Sequence, residues 1–239
     1  MPLYRMAGLY VIMDPRHERL KSYAEKYLCD IEQPPADAVV IDINLSEDYV
    51  KERQKESPHL SIEDCEYIWF GYCFGVKLLR NNGFILHSSS VMYEGKAYLF
   101  SADSGTGKST HTHFWQEVFG DDKAVIINDD KPALREIDGV FYASGTPFSG
   151  KSDLSTNVTV PVKALCFIYR SDTNEIRRLN SSEALELIFE QIIRPKQSDN
   201  IMLLLEVLDS FFKKVPVYLL GVTCTPESAK FAYREINKV

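Results

Sequence analysis

The apolar positions change texture at about residue 80. Before it, Leu3–Met13 is an apolar, β-prone run stopped by Asp14-Pro15. Arg16–Leu28 sets Leu20, Tyr23, Tyr27 and Leu28 on one helical face, and Ala38–Ile43 reads as a short buried strand, so a small βαβ-like unit is predicted. Asp48–Pro58 is charged and reads as a surface helix or linker. Ser61 suits an N-cap, with Asp64 three residues on, and predicts a long helix that Asn82-Gly83 ends. Its apolar residues (Ile68, Phe70, Cys73, Phe74, Val76 and Leu79) are too many for one stripe and predict burial on more than one side.

From Phe84 onward strands dominate. Phe84–Tyr93, the turn Glu94-Gly95 and Lys96–Ser101 predict a hairpin, followed by a glycine-containing loop and a helix to about Phe119. Ala124–Asn128 is a buried strand ending in Asp129-Asp130, and Pro132–Ser144 a second hairpin turned at Asp138-Gly139. Lys163–Tyr169 is a strand. Asn180 and Glu183 resemble a capping box for a helix to Ile193, Ile201–Lys214 is another helix, and Val217–Gly221 a late strand. Thr225-Pro226 opens the last helix. The division is residues 1–80 as a small N-terminal α/β subdomain and 81–239 as the main core.

Composition adds limits. A net charge of −7 argues against sequence-independent nucleic-acid binding, which needs a basic face. Five cysteines without Cys-x-x-Cys spacing point to reduced thiols rather than a zinc or disulfide framework. No run reaches the roughly 18 apolar residues of a membrane span, and Met1–Met6 lacks the form of a signal peptide. The expectation is a cytoplasmic protein with no nucleic-acid or membrane partner.

The strongest chemical signal is Leu99–Thr110, a hydrophobic strand running into Ser101-Ala102-Asp103-Ser104-Gly105-Thr106-Gly107-Lys108-Ser109-Thr110 and then a helix. That is the context a phosphate-cradling P-loop requires. Gly105 and Gly107 let successive N–H groups point inward, the helix adds its positive end, Lys108 can reach the β- and γ-phosphates, and Ser109 can place its hydroxyl on Mg²⁺. Ser104, Thr106 and Thr110 complete the predicted ATP site. Alanine stands at position 102 where the strict pattern has glycine. Asp129 and Asp130, at a strand end, supply a metal-holding acid and an acid able to take a hydroxyl proton. His87, on the strand paired with the one feeding the loop, could tune them.

The order of His87 with small residues, a hairpin, Ser-Gly-Thr-Gly-Lys-Ser-Thr, and Asn128-Asp129-Asp130 resembles the catalytic domain of HPr kinase/phosphorylase. More distantly it is similar to the ATP-dependent phosphoenolpyruvate carboxykinases. Small HPr-kinase-like proteins also carry a segment like Gly145-Thr146-Pro147-Phe148-Ser149-Gly150-Lys151. The resemblance covers roughly residues 84–170 well and implies a mixed-sheet α/β P-loop kinase core. It implies Asp129 as catalytic base, Asp130 and Ser109 on magnesium, and His87 as their support. Lys151 becomes a candidate for touching the transferring phosphoryl group or the acceptor, against a plain solvated loop lysine, and Arg194 a weaker candidate for charge stabilisation.

The expected activity is transfer of the γ-phosphoryl group of ATP to a hydroxyl, on a protein or peptide serine or a small metabolite. The alternative is a non-catalytic or slow ATP-binding regulatory or assembly module; a carboxykinase-like lyase needs a longer chain. Specificity is expected in residues 1–80. Glu47-Asp48 and Glu63-Asp64 read as solvated helix starts. A homo-oligomer stays open.

Overall fold

The computed structural model describes residues 1–238. Strand β1 (Leu3–Met6) turns back on β2 (Leu9–Ile12) through Ala7 and Gly8, both in the left-handed region (φ 51° and 72°). The single run expected over Leu3–Met13 is therefore a hairpin; Ala-Gly is a weak turn signal in sequence, and two positive φ angles are what the tight connection demands. Helix α1 (Glu18–Glu25) crosses from β2 to β3 (Val40–Asp42), which pairs parallel to β2, completing the βαβ unit.

Helices α2 (Glu47–Glu56) and α3 (Ile62–Leu78) follow, and Ser61 caps α3 by accepting the Asp64 N–H. The acids of α3 are not solvated as expected. Glu66, buried, accepts the backbone N–H groups of Arg16 and His17 at 2.8 and 2.9 Å, and Glu63 accepts that of Arg19 at 2.7 Å. They cap α1, whose own N-terminus has no side-chain cap. Most of α3 is covered, but Ile68 stays 45% exposed. A short 3-10 turn ends at Asn82 in the left-handed conformation.

The expected strand Phe84–Tyr93 divides at Leu86-His87 into β4 (Gly83–Ile85) and β5 (Ser88–Tyr93), because the two halves pair with different partners. Glu94 and Gly95, both at positive φ, join β5 to β6 (Lys96–Ser101). Helix α4 (Lys108–Phe119), β7 (Val125–Asn128), and the hairpin of β8 (Ala133–Ile137) and β9 (Val140–Ser144) follow. Strand β10 (Thr159–Arg170) is longer than expected, and β11 (Glu175–Arg178) was not foreseen. Helix α5 (Ser181–Phe189) has a complete capping box at Asn180 and Glu183. It stops short of Ile193, because Gln191 accepts the His87 N–H and Ile192 bridges to Leu86. Helix α6 (Ser198–Lys214), β12 (Val217–Val222) and α7 (Glu227–Ile236) complete the chain. Among the described residues no helix is long and apolar enough to cross a membrane, and no cysteine is paired.

The main sheet is mixed, in the order β4-β8-β9-β10-β6-β5-β7, with β12 on β10 and β11 on β12. Strand β10 changes partner along its length. Thr159–Pro161 pairs antiparallel with β9, while Val162–Phe167 runs parallel to β6 and Leu165–Arg170 parallel to β12. Strands β6 and β10 are apolar on both faces because both are covered. Leu99, Leu165 and Phe167 pack with α5 and α6, whereas Tyr98, Phe100, Ala164 and Cys166 pack with α4 and α7. A third core joins β1–β3, α1 and α3 to Ile85, Ala133 and Phe148.

Helix α4 is anchored by His111, buried against Phe100, with Nδ1 3.1 Å from Ser228 Oγ and Nε2 accepting from Trp115 Nε1 at 3.3 Å. Ser228 Oγ in turn donates to the Thr225 carbonyl. Burial holds the His111 pKa down to about 3. The unfolded value is about 6.5, so the unfolded chain binds the proton more tightly. Stability from this site is complete above about pH 6.5 and drains away as pH falls toward 3. Wild type is expected to lose about 3 kcal/mol more than His111→Gln between pH 7 and pH 4, at 1.36 kcal/mol per unit. Urea unfolding at the two pH values measures this, and equal losses in both proteins would remove His111 from the acid response.

Candidate active site

The loop between β6 and α4 is shaped by backbone rather than packing. Gly105 and Gly107 sit at φ 81° and 120°, and an added Cβ would meet nothing within 4 Å at either. Side chains are excluded there by conformation, and the space beside the loop is open. No side chain caps α4, so its first N–H groups are left for a ligand. Lys108 is only 7% exposed, and its ammonium donates to the carbonyls of Ala102 (2.7 Å) and Asp103 (3.2 Å). Burial lowers its pKa, against the upward pull of Asp130, Asp103 and Asp129. At the end of β10, Arg170 donates to the carbonyls of Gly105 (2.7 Å) and Thr106 (3.0 Å) and ties the outer side of the loop.

Strand β7 delivers the two acids, and Asn128 sets their turn. Its buried carboxamide oxygen accepts the N–H groups of Asp130 (2.9 Å) and Lys131 (2.6 Å), while its nitrogen donates to the Thr146 carbonyl (2.9 Å). Asp129 accepts from Ser89 Oγ at 2.6 Å and Ser152 Oγ at 3.3 Å. Asp130 lies 3.3 Å from His87 Nε2 and 2.5 Å from Lys131 Nζ. His87 Nδ1 is 3.0 Å from Gln191 Oε1, and Gln191 Nε2 donates to Asp103 at 2.9 Å. That second bond turns the Gln191 oxygen toward His87, so Nδ1 carries the hydrogen. Nε2 and Asp130 are then two acceptors unless one proton lies between them. Burial holds the His87 pKa below its ordinary value, helped by Lys108 and opposed by Asp130 and the Gln191 bond.

The opposite wall is the β9–β10 connection and the N-terminal unit. Gly145 has no alternative, since a Cβ would sit 2.1 Å from the Thr156 carbonyl. Gly150, at φ 78°, donates to Tyr67 Oη at 2.8 Å and lies against Asp130. Its carbonyl accepts from Arg19, which stacks 4.0 Å over the Tyr67 ring and pairs with Asp64 at 2.5 Å. Burial raises the Tyr67 pKa, so the hydroxyl stays protonated. Between the walls lies a cleft of about 880 Å³.

Residues 68–231, more than half of the chain, match the sequence pattern described as SynChlorMet cassette protein ScmC. The chain belongs to the ScmC family. No curated protein matches it. Among solved structures, that of the Hpr(Ser) kinase/phosphatase from Coxiella burnetii aligns with a TM-score of 0.37 and 12% identity, over 63% of this chain and 96% of that one.

In this ScmC-family chain the cleft gathers Ser104, Gly105, Gly107, Lys108, Ser109 and Thr110 with His87, Asp129, Asp130 and Lys151. Two expected residues lie elsewhere. Thr106 faces a small cavity on the far side of the loop, with Phe114 and Val222. Arg194 is exposed just beyond the end of α5, 4.0 Å from Glu190, and does not line the cleft. Gln191, Arg170, Arg19 and Tyr67 went unnoticed in the sequence; they belong to no linear motif and reach the site from distant elements. Arg19 and Tyr67 lie outside the span matched to the ScmC pattern.

Replacing Gln191 by Leu removes the bond that raises the His87 pKa. The His87 imidazole is expected to titrate at still lower pH in Gln191→Leu, read by NMR of the ring. An unchanged or raised value would mean that Gln191 does not set its protonation.

Proposed function

We propose that this chain is a magnesium-dependent kinase that moves the γ-phosphoryl group of ATP to a hydroxyl acceptor, on a P-loop core of the HPr kinase/phosphoenolpyruvate carboxykinase type. The observation that carries the reading is the meeting, in one cleft, of an uncapped helix mouth with its glycine loop and Lys108 and the carboxylates of Asp129 and Asp130. A polyphosphate needs the first group and hydroxyl activation the second.

ATP would lie against the N–H groups of Gly105 to Ser109, with Lys108 exchanging loop carbonyls for phosphate oxygens. The acceptor oxygen forms a bond to the γ-phosphorus, the bond from that phosphorus to the β–γ bridging oxygen breaks, ADP leaves, and the hydroxyl proton passes to Asp129. The Ser89 and Ser152 hydroxyls orient that carboxylate toward the cleft. Ser109 and Asp130 would hold Mg²⁺, an oxygen-seeking ion usually bound by one or two carboxylates plus substrate phosphates. When bound, magnesium neutralises charge on the phosphates. His87 is fixed by Gln191 beside Asp130 and would steady that carboxylate when a proton lies between Nε2 and the carboxylate oxygen. Lys151 contributes charge on the acceptor side.

Lys108→Ala is expected to weaken ATP binding by tenfold or more, since charge-assisted bonds to phosphate are about twice as strong as neutral ones; calorimetry reads this, and an unchanged affinity would remove the loop from the site. Asp129→Asn is expected to keep ATP affinity and to lower transfer from γ-labelled ATP by about 10²–10⁴, the range for losing a general base. Equal loss of binding and transfer would move Asp129 to the metal.

A further inference from the structure

A second cavity of about 180 Å³ adjoins the cleft and is mostly apolar: Ile68, Gly71, Tyr72, Phe148 and Ile193 line it. Tyr67 and Lys131 line both spaces, so the two are neighbours. Lys131 is also the residue bound to Asp130, which places the apolar space beside the acids rather than beside the phosphate loop. Ile68 belongs to both walls and is 45% exposed, a large apolar side chain left open in the middle of an otherwise covered helix.

The helix that bears it gives the ligand's shape. Leu60, Asp64, Ile68 and Tyr72 recur every four residues and so form one row along α3 and the residues leading into it. The first three line the cleft and the last two the apolar cavity. At 1.5 Å per residue the row is about 18 Å long. That exceeds the reach of a small hydroxylated metabolite and equals about five residues of extended chain. An acidic and an aromatic position flank the row's exposed isoleucine, and the hydroxyl-activating Asp129 lies on the facing wall.

We propose that the acceptor is an extended peptide lying along α3, with a serine at Asp129 and a bulky apolar residue close to that serine in the cavity of Ile68, Tyr72 and Phe148. This rests on the kinase reading for the serine and on the cavity alone for the apolar anchor. The cavity selects by burying apolar area, which a polar or small neighbour of the serine cannot supply. Phosphate then passes from ATP to the serine oxygen, leaving ADP and a proton on Asp129.

The test uses the full chain with an arrayed set of seven-residue peptides, central serine, all residue types at the flanking positions. Binding is read by fluorescence anisotropy with a non-hydrolysable ATP analogue present, and transfer separately with γ-labelled ATP. Peptides with Leu, Ile, Met or Phe near the serine should bind at least tenfold tighter than those with Asp, Ser or Gly there. Ile68→Asp, at an exposed position, should erase that preference while keeping its thermal unfolding and ATP affinity; Tyr72→Ala should weaken it. No dependence on the flanking residues, a preference that survives Ile68→Asp, or equal binding of free serine and other small hydroxyl compounds would each overturn the proposal. Apolar-selective binding without transfer would sink the kinase reading and leave the docking site; transfer without apolar selectivity would do the reverse.

Discussion

The Asn128 carboxamide is the interaction on which the cleft depends. It sits wholly buried at the end of β7 and bonds in two directions, to the backbone of Asp130 and Lys131 and to Thr146 in the facing connection. A buried amide left without partners costs about 1–3 kcal/mol per lost group, so the two sides are held together by more than shape. Thr146 returns the link, its hydroxyl donating to the Lys131 carbonyl. The acids therefore stand on a turn whose geometry is fixed from outside the turn. Asp129, one residue along, is held by its own N–H to the Leu154 carbonyl.

A second property is the pre-pairing of charge. Four of the cations around the cleft have a neutral or acidic partner: Lys108 and Arg170 on loop carbonyls, Lys131 on Asp130, Arg19 on Asp64. Positive charge in a half-buried space is tolerated only when it is satisfied in this way. The N-terminal unit joins the arrangement through Arg19 and Tyr67, which hold both polar backbone atoms of Gly150. The wall that faces the acids is thus built partly from residues before position 80 and partly from the β9–β10 connection.

Much of this was legible in the sequence where the signal was local. Turns with two positive φ angles showed as Glu94-Gly95 and Asp138-Gly139, and the capping box showed as Asn180 and Glu183. The glycine loop and the acid pair declared themselves by spacing. What stayed hidden depended on partners far away in sequence. Phe84–Tyr93 looks like one strand because its pattern cannot reveal that Ile85 and Ser88 pair with different neighbours. Glu63 looks solvated until α1 is laid across it. Gln191 lies just past α5, a position that nothing in its neighbours marks as chemical; only the fold brings it between Asp103 and His87. Arg194 shows the reverse, an arginine whose charge recommends it and which the fold leaves exposed beside Glu190.

The double pairing of β10 makes it a ruler. Its first residues lead out of the connection that carries Gly150 and Lys151, and its later residues run beside β6, which ends in the glycine loop. Near the start of the stretch paired with β6, Lys163 is an extra residue with no partner in that strand, a bulge that re-aims β10. Adding or deleting one residue within the strand would turn one half over relative to the other, so the placement of the glycine loop against the β9–β10 connection is set by a length of chain that tolerates no drift.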